Sequence, residues 1–168
     1  MTSNDPQPAA ELVGQSSPPQ RGRVVGIDYG TVRMGIALSD PDRTIASPYE
    51  NYTRRGKTQD AKYFLNLTEE ERVVLFVVGL PVHLDGRESE KSIEARAFGR
   101  WLGKVTGVDV VFYDERFSST EAEHALMEAD MTKKRRKKRL DMLAAQIILT
   151  AYLESDGKGT DDPGAIDD

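Results

Sequence analysis

Val73-Val74-Leu75-Phe76-Val77-Val78-Gly79 is apolar without a break, and this run limits the fold more than any other part of the chain. A strand with one wet face alternates apolar and polar residues. A strand with no wet face must lie inside a sheet that is covered on both sides. Val108-Asp109-Val110-Val111-Phe112-Tyr113 predicts a second strand near it. Helices are expected at about 57–67 and at 89–105, the latter with Ile93, Ala97, Trp101 and Val105 at helical spacing. Strands separated by helices pair in parallel through right-handed crossovers. Ahead of them, short β-branched segments at 23–29, about 34–39 and about 44–52 are close enough for an antiparallel meander, with a turn at Asp40-Pro41-Asp42-Arg43. Helices at 119–129 and 140–153 close the chain, joined by a polar connection or helix start at 130–139. The expected fold is α/β: a mixed five-stranded sheet, three antiparallel strands followed by parallel βα units, with helices on both faces.

A chain of 168 residues suits one domain with one sizeable core. Residues 1–20 are rich in Pro, Ser and Gln, and residues 155–168 in Gly, Asp and Pro; both are expected to be disordered tails flanking a domain at 21–154. The net charge of −5 hides an uneven distribution. The stretch 21–153 holds 22 basic and 20 acidic residues, so the tails carry the acidity. An acidic chain of this kind can still have a polyanionic partner. There is no cysteine, and His83 and His124 have no zinc-type spacing. A metal site would need oxygen ligands, which favours magnesium or manganese. No apolar run approaches the ~18 residues of a membrane span, and no basic-plus-apolar leader opens the chain. A cytoplasmic protein with no membrane partner is expected.

Three acids stand where burial penalises them. Asp28 ends the apolar strand Val24-Val25-Gly26-Ile27, Glu115 follows Asp114 at the end of the strand 108–113, and Asp141 is the only charge in the run 140–153. An isolated buried carboxylate is unfavourable unless a metal, a cation or several hydrogen bonds compensate it. Acids at the carboxyl ends of strands point into the crevice where open α/β sheets bind ligands. Asp141 could instead simply meet the dipole of its helix, and Ser118 and Ser119 read better as a helix N-cap than as nucleophiles. Gly79-Leu80-Pro81 either stops a strand or lets a phosphodiester approach the sheet rim. Lys133-Lys134-Arg135-Arg136-Lys137-Lys138-Arg139 could be a solvated face, but it abuts Asp141, and runs of this kind bind phosphates with strong salt dependence.

Four of these segments, in order, resemble the motifs of the YqgF/RuvX family, whose members are named as pre-16S rRNA nucleases and as Holliday-junction resolvase-like proteins of the ribonuclease H-like fold. They are Asp28-Tyr29-Gly30-Thr31-Val32-Arg33-Met34-Gly35, Gly79-Leu80-Pro81 with Asp85-Gly86, Asp114-Glu115-Arg116-Phe117-Ser118-Ser119, and Leu140-Asp141 with Ala144-Ala145. The resemblance covers about 22–153 and implies a metal-dependent nuclease, a hydrolase acting on ester bonds. It implies Asp28, Glu115 and Asp141 as metal-binding catalytic acids and a magnesium or manganese cofactor. Arg33, Arg116 and the cations 133–139 would contact nucleic acid. Precursor rRNA, in ribosomal precursor particles, is the implied partner of a monomer or homodimer. Two other functions stay open: resolution of four-way DNA junctions, and a non-catalytic role in RNA binding or ribosome assembly. One geometric requirement follows. With Glu115 on the fifth strand and Asp28 on the first, the two are about two strand spacings, ~10 Å, apart at the backbone, unless Asp114 or Asp85 takes the place of Glu115.

Overall fold

The computed structural model describes residues 21–81, 89–115 and 133–155, apart from the side chains of 133–139 and 141. Five strands form one sheet: β1 (Arg23–Asp28), β2 (Arg33–Ser39), β3 (Ala46–Thr53), β4 (Val73–Leu80) and β5 (Asp109–Asp114). Their spatial order is β3-β2-β1-β4-β5. β1, β2 and β3 pair antiparallel; β4 and β5 add in parallel on the other side of β1. This is the expected mixed sheet, and β4 lies between β1 and β5 with both faces buried.

Helices α1 (Lys57–Glu71) and α2 (Glu90–Thr106) cover one face, and α3 (Lys133–Glu154) covers the other. The period-two alternation divides the strands between two cores. Val25 and Ile27 of β1, with Phe76 and Val78 of β4, pack under α1 and α2 against Phe64, Phe98 and Leu102. Val24, Leu75 and Val77 face α3, where Ala145, Ile148, Leu149 and Tyr152 make its buried stripe. The lack of alternation thus has a simple cause: from 75 to 80 one core takes the odd positions and the other the even, while Val73 and Val74, at a register shift in the pairing with β1, fall the other way round.

Three boundaries depart from the sequence expectation. Helix α1 runs one turn beyond residue 67, because Thr68-Glu69-Glu70-Glu71 continues the helix without adding buried residues; Arg72 then closes it in the left-handed region at φ 53°. On α2 the buried stripe is Ala95, Phe98, Gly99 and Leu102, whereas Ile93 stays 57% exposed and Ala97 is exposed. The spacing of Ile93, Ala97 and Trp101 marked a helix correctly but not its core face. Helix α3 already begins at Lys133, so the backbone of the whole basic run is helical. At the other end Ser155 donates its N–H to the carbonyls of Ala151 and Tyr152. The expected tail 1–20, the expected tail 155–168 apart from Ser155, the expected helix 119–129, Asp85, His83, Arg116 and His124 lie outside the described residues.

Candidate active site

Asp28 is the last residue of β1 and is half-buried. Alternation along β1 puts it on the α3 face, in line with Val24 and Gly26. Parallel pairing of Ile27 with Val78 sets Gly79 of β4 beside it. Glu115 follows β5 directly and is also half-buried. The side chain of Glu115 extends over Gly79: a Cβ on Gly79 would lie 2.7 Å from Glu115 Oε2 and 2.5 Å from Ile148 Cδ1. The bare glycine is what allows a carboxylate from β5 to cross β4 and reach β1. There Glu115 donates a hydrogen bond to Asp28. The gap of two strand spacings is bridged within the protein itself, and Glu115, not the neighbouring Asp114, spans it toward Asp28. Gly79 therefore makes room for the site's own acid, a role that strand punctuation in the sequence does not reveal.

Burial, the charge of Asp28 and the hydrogen bond to it raise Glu115 to about 7, and Asp114, itself buried, adds to the effect. Lys91, in the first turn of α2, opposes the rise. No sequence signal marked Lys91 beyond its place at the start of a helix after the 82–88 segment. Two acids that share a proton beside a lysine form a site suited to a cation: binding one would remove the mutual repulsion and release the proton. The raised group sets a sign. Its protonated form is stable in the folded protein well above its ordinary value of 4.5, so its contribution is lost as pH rises through about 7. Metal-free protein is therefore expected to lose melting temperature between about pH 5 and pH 8, and Glu115→Gln should flatten that part of the curve. Parent and variant curves of equal slope would remove the pair as the cause.

Gly79→Ala probes the same geometry without touching an acid. The added methyl must displace Glu115 or Ile148, both at flexible side-chain ends. We expect a loss of stability of about 1–3 kcal/mol and a loss of the Glu115 to Asp28 contact, read as a downward shift in the pKa of Glu115 by carboxyl NMR. A pKa that stays near 7 would mean that Ile148 alone gives way.

The other expected site residues divide. Arg33 begins β2 and is half-buried. The Gly30 turn that precedes it has a local reason, because a Cβ there would lie 2.1 Å from the Arg33 carbonyl oxygen. Asp141 stands on the α3 backbone one turn before Ala145, in step with the buried stripe Ala145, Ile148, Leu149 and Tyr152. That stripe lies close on the sheet: a Cβ at Gly26 would come 2.8 Å from Leu149 Cβ and 3.0 Å from the Ala145 carbonyl oxygen. The side chains of 133–139 and 141 lie outside the described residues, and among those described no three metal-ligating side chains cluster. None of the described helices is long and apolar enough to cross a membrane.

A second cluster lies on the opposite face, and no local sequence signal marks it. Asp60 of α1 is fully buried. It accepts hydrogen bonds from Tyr52 Oη at 2.7 Å, the Arg55 backbone N–H at 3.0 Å and Arg54 Nε at 3.1 Å. Burial raises its pKa, but these bonds and the Arg54 charge outweigh that and hold it below the usual range. Arg54 in turn donates to Tyr29 Oη at 3.2 Å, next to Asp28 in the chain. The network ties the end of β3 and the start of α1 to the residue after the catalytic candidate.

Comparison with known proteins gives the family and the fold. A family model, RuvX, described as Holliday junction resolvase, matches residues 22–155. A protein of Rhodopirellula baltica named "Putative pre-16S rRNA nuclease" is 41% identical over 148 residues, covering 88% of this chain and 86% of the relative. A protein of the same name from Syntrophomonas wolfei is 40% identical over 139 residues, covering 83% and 99%. Among solved structures, T. thermophilus RuvC in complex with Holliday junction substrate superposes with a TM-score of 0.53 at 16% identity, over 82% of this chain and 98% of that one. At that identity the likeness speaks for the fold, a ribonuclease H-like α/β sheet.

Proposed function

The chain belongs to the RuvX family, and from that membership and its paired carboxylates we propose that it hydrolyses phosphodiester bonds near the 5′ end of precursor 16S rRNA during ribosome assembly. It is a nuclease, a hydrolase acting on ester bonds. The observation that carries the reading is the hydrogen-bonded Asp28–Glu115 pair at the carboxyl edge of the parallel strands. Such a pair, unfavourable in the metal-free protein, fits a hard divalent cation, magnesium or manganese. Asp28 and Glu115 would hold it, with Asp141 added from α3. When bound, the cation supplies Lewis-acid stabilisation of the phosphoryl oxygens and a more acidic water. The chain's own groups do the rest. Asp28, on the strand beside β4, would fix the position of the cation, and the Glu115 carboxyl passes its proton to solvent as the site loads. Lys91, Arg33 and Arg116 are assigned to phosphate oxygens. The domain responsible is assigned to residues 21–154, in agreement with the extent of the family match.

The seven cations 133–139 are assigned to the nucleic-acid backbone. They follow one another along the α3 backbone, where like charges repel. A polyanion relieves that repulsion. Replacing 133–139 with neutral residues should weaken binding to all nucleic acids alike and reduce the salt slope by several units, measured by fluorescence anisotropy from about 50 to 200 mM salt. An unchanged slope would make the run a solvated face.

A second reading, resolution of four-way DNA junctions, is favoured by the family's description. It requires two sites on a symmetric dimer. A cleavage panel with magnesium separates the two: structured precursor 16S rRNA, single-stranded RNA and four-way DNA junctions. Cutting of the rRNA precursor at one position supports the proposal. Symmetric nicking of the junction alone transfers it to DNA, and no cutting of any substrate leaves a non-catalytic assembly role.

A further inference from the structure

We propose that the groove between Tyr29, α1 and α2 holds an unpaired base of the substrate strand, stacked against Trp101, with its phosphate at Lys57. The inference rests on the nuclease reading only for the identity of the strand. Its warrant is a cavity of about 240 Å³ between the start of α1 and the middle of α2, smaller than the roughly 300–1,000 Å³ of sites for drug-sized ligands. Three of its seven lining residues are aromatic, with Phe98 buried between Tyr29 and Trp101. Tyr29 and Phe98 are 5.3 Å apart at their centroids, and Phe98 and Trp101 are 5.7 Å apart. The Arg54 guanidinium lies 5.4 Å from the Tyr29 ring and 5.5 Å from the Phe98 ring.

The charges select the ligand. Arg54 is engaged with Asp60 at 3.1 Å and with Tyr29. The interior is thus a rigid, nearly neutral set of π-faces, suited to an uncharged planar ring rather than to a free phosphate or an acidic peptide. Exposed Lys57 at the rim supplies the one contact a phosphodiester needs, and Glu94, also at the rim, directs the phosphate toward Lys57. The outward side of α2 carries an apolar strip, with Ile93 and Ala97 exposed and Trp101 half-buried, among exposed Lys91, Glu94 and Arg100. Position connects the groove to the site. Tyr29 follows Asp28 at the carboxyl end of β1, so a strand whose phosphate lies near Asp28 on the α3 face has to pass that end of the sheet to place a nearby base on the opposite face. Base stacking on aromatic side chains is tolerant of sequence and is confined to unpaired nucleotides. The groove would make cleavage depend on a single-stranded segment beside the cut.

Trp101 is the chain's single tryptophan, so its emission reports the groove directly. Full-length protein without divalent metal is titrated with unpaired decanucleotides of RNA and of DNA and with blunt duplexes of the same sequences. Saturable quenching by an unpaired decamer is expected, and the two sugars show which polymer is preferred; duplexes leave the emission unchanged. Ala97→Glu, at an exposed helical position, should weaken unpaired-strand binding about tenfold and leave duplex affinity and melting temperature unchanged. Lys57→Ala should do the same more weakly. Unchanged emission, or an equal loss for duplex and single strand, overturns the proposal. So does an emission shift with protein concentration alone, which would assign the stripe to a second copy of the chain. Because no cleavage occurs in this assay, quenching without activity in the cleavage panel would refute the nuclease reading and keep the subsite. Cleavage without quenching would do the reverse.

Discussion

Asp28→Asn is expected to lower cleavage at least about a hundredfold, ~2.7 kcal/mol in barrier terms, while nucleic-acid affinity stays within about threefold of the parent. The reason is the division of labour between the site and its surroundings. Asp28 is the member of the pair that sits on the strand beside β4, and Glu115 reaches it only by crossing Gly79. Asparagine keeps the shape and loses the charge, so a cation would find one carboxylate fewer and a weaker hold. On the proposed reading, affinity for the strand comes mainly from cations elsewhere, and these are untouched. The same substitution removes the charge that raises Glu115. Metal-free Asp28→Asn should therefore melt at or above the parent temperature, and magnesium should raise its melting temperature less than the parent's. Cleavage at the parental rate would refute the proposed site. Lost cleavage together with lost folding would point to a structural role instead, and the melting curve separates these outcomes.

Asp60→Ala should destabilise the protein by about 3–5 kcal/mol, lowering the melting temperature by on the order of 10 °C. Three donors converge on this buried carboxylate, one of them the Arg54 guanidinium. Removing the acceptor leaves a half-buried cation without its counter-charge and a tyrosine hydroxyl without its partner. Tyr52→Phe, which removes one bond of the three, should cost only about 1 kcal/mol. Pairing Asp60→Ala with Arg54→Met should recover part of the loss, because the orphaned charge goes as well. The acid side of the stability curve gives a further check. Asp60 titrates below its ordinary range in the folded state, so its contribution is present above the usual carboxylate pKa and is lost as pH falls through the folded value. Urea melts of Asp60→Ala within about 1 kcal/mol of the parent would mean that water replaces the carboxylate without penalty.

Much of this architecture is written in periodicity. The unbroken run at 73–79 could only be a strand with two covered faces, and it lies second from one edge of the sheet with a core on each side. The antiparallel meander and the parallel βα units follow from short turns and intervening helices. What periodicity could not choose was the buried face of α2, because that helix has apolar residues on two stripes. The sheet takes Ala95, Phe98 and Leu102, with Gly99 placed where a Cβ would lie 2.6 Å from the Phe112 ring. Ile93 falls on the other stripe and is exposed.

The residues of the site were legible as anomalies, and their meeting was not. Asp28 and Glu115 each stand out as an acid at the end of an apolar strand, a local property that composition exposes without any structure. That they touch is decided by strand order, since β4 comes between them and presents a glycine at the crossing point. Nothing near Gly79 in the chain shows that a side chain 36 positions later will lie over it. Asp60 shows the converse: its place in a polar helix start looks unremarkable, and only packing against Tyr52 and Arg54 makes it a buried charge. Local sequence determines which groups carry charge and which segments must be covered, because those are properties of single residues and of their spacing. Proximity between distant groups, and with it every shifted pKa here, arises only when the cores assemble and exclude water, because burial and Coulomb energy depend on distance in space rather than along the chain.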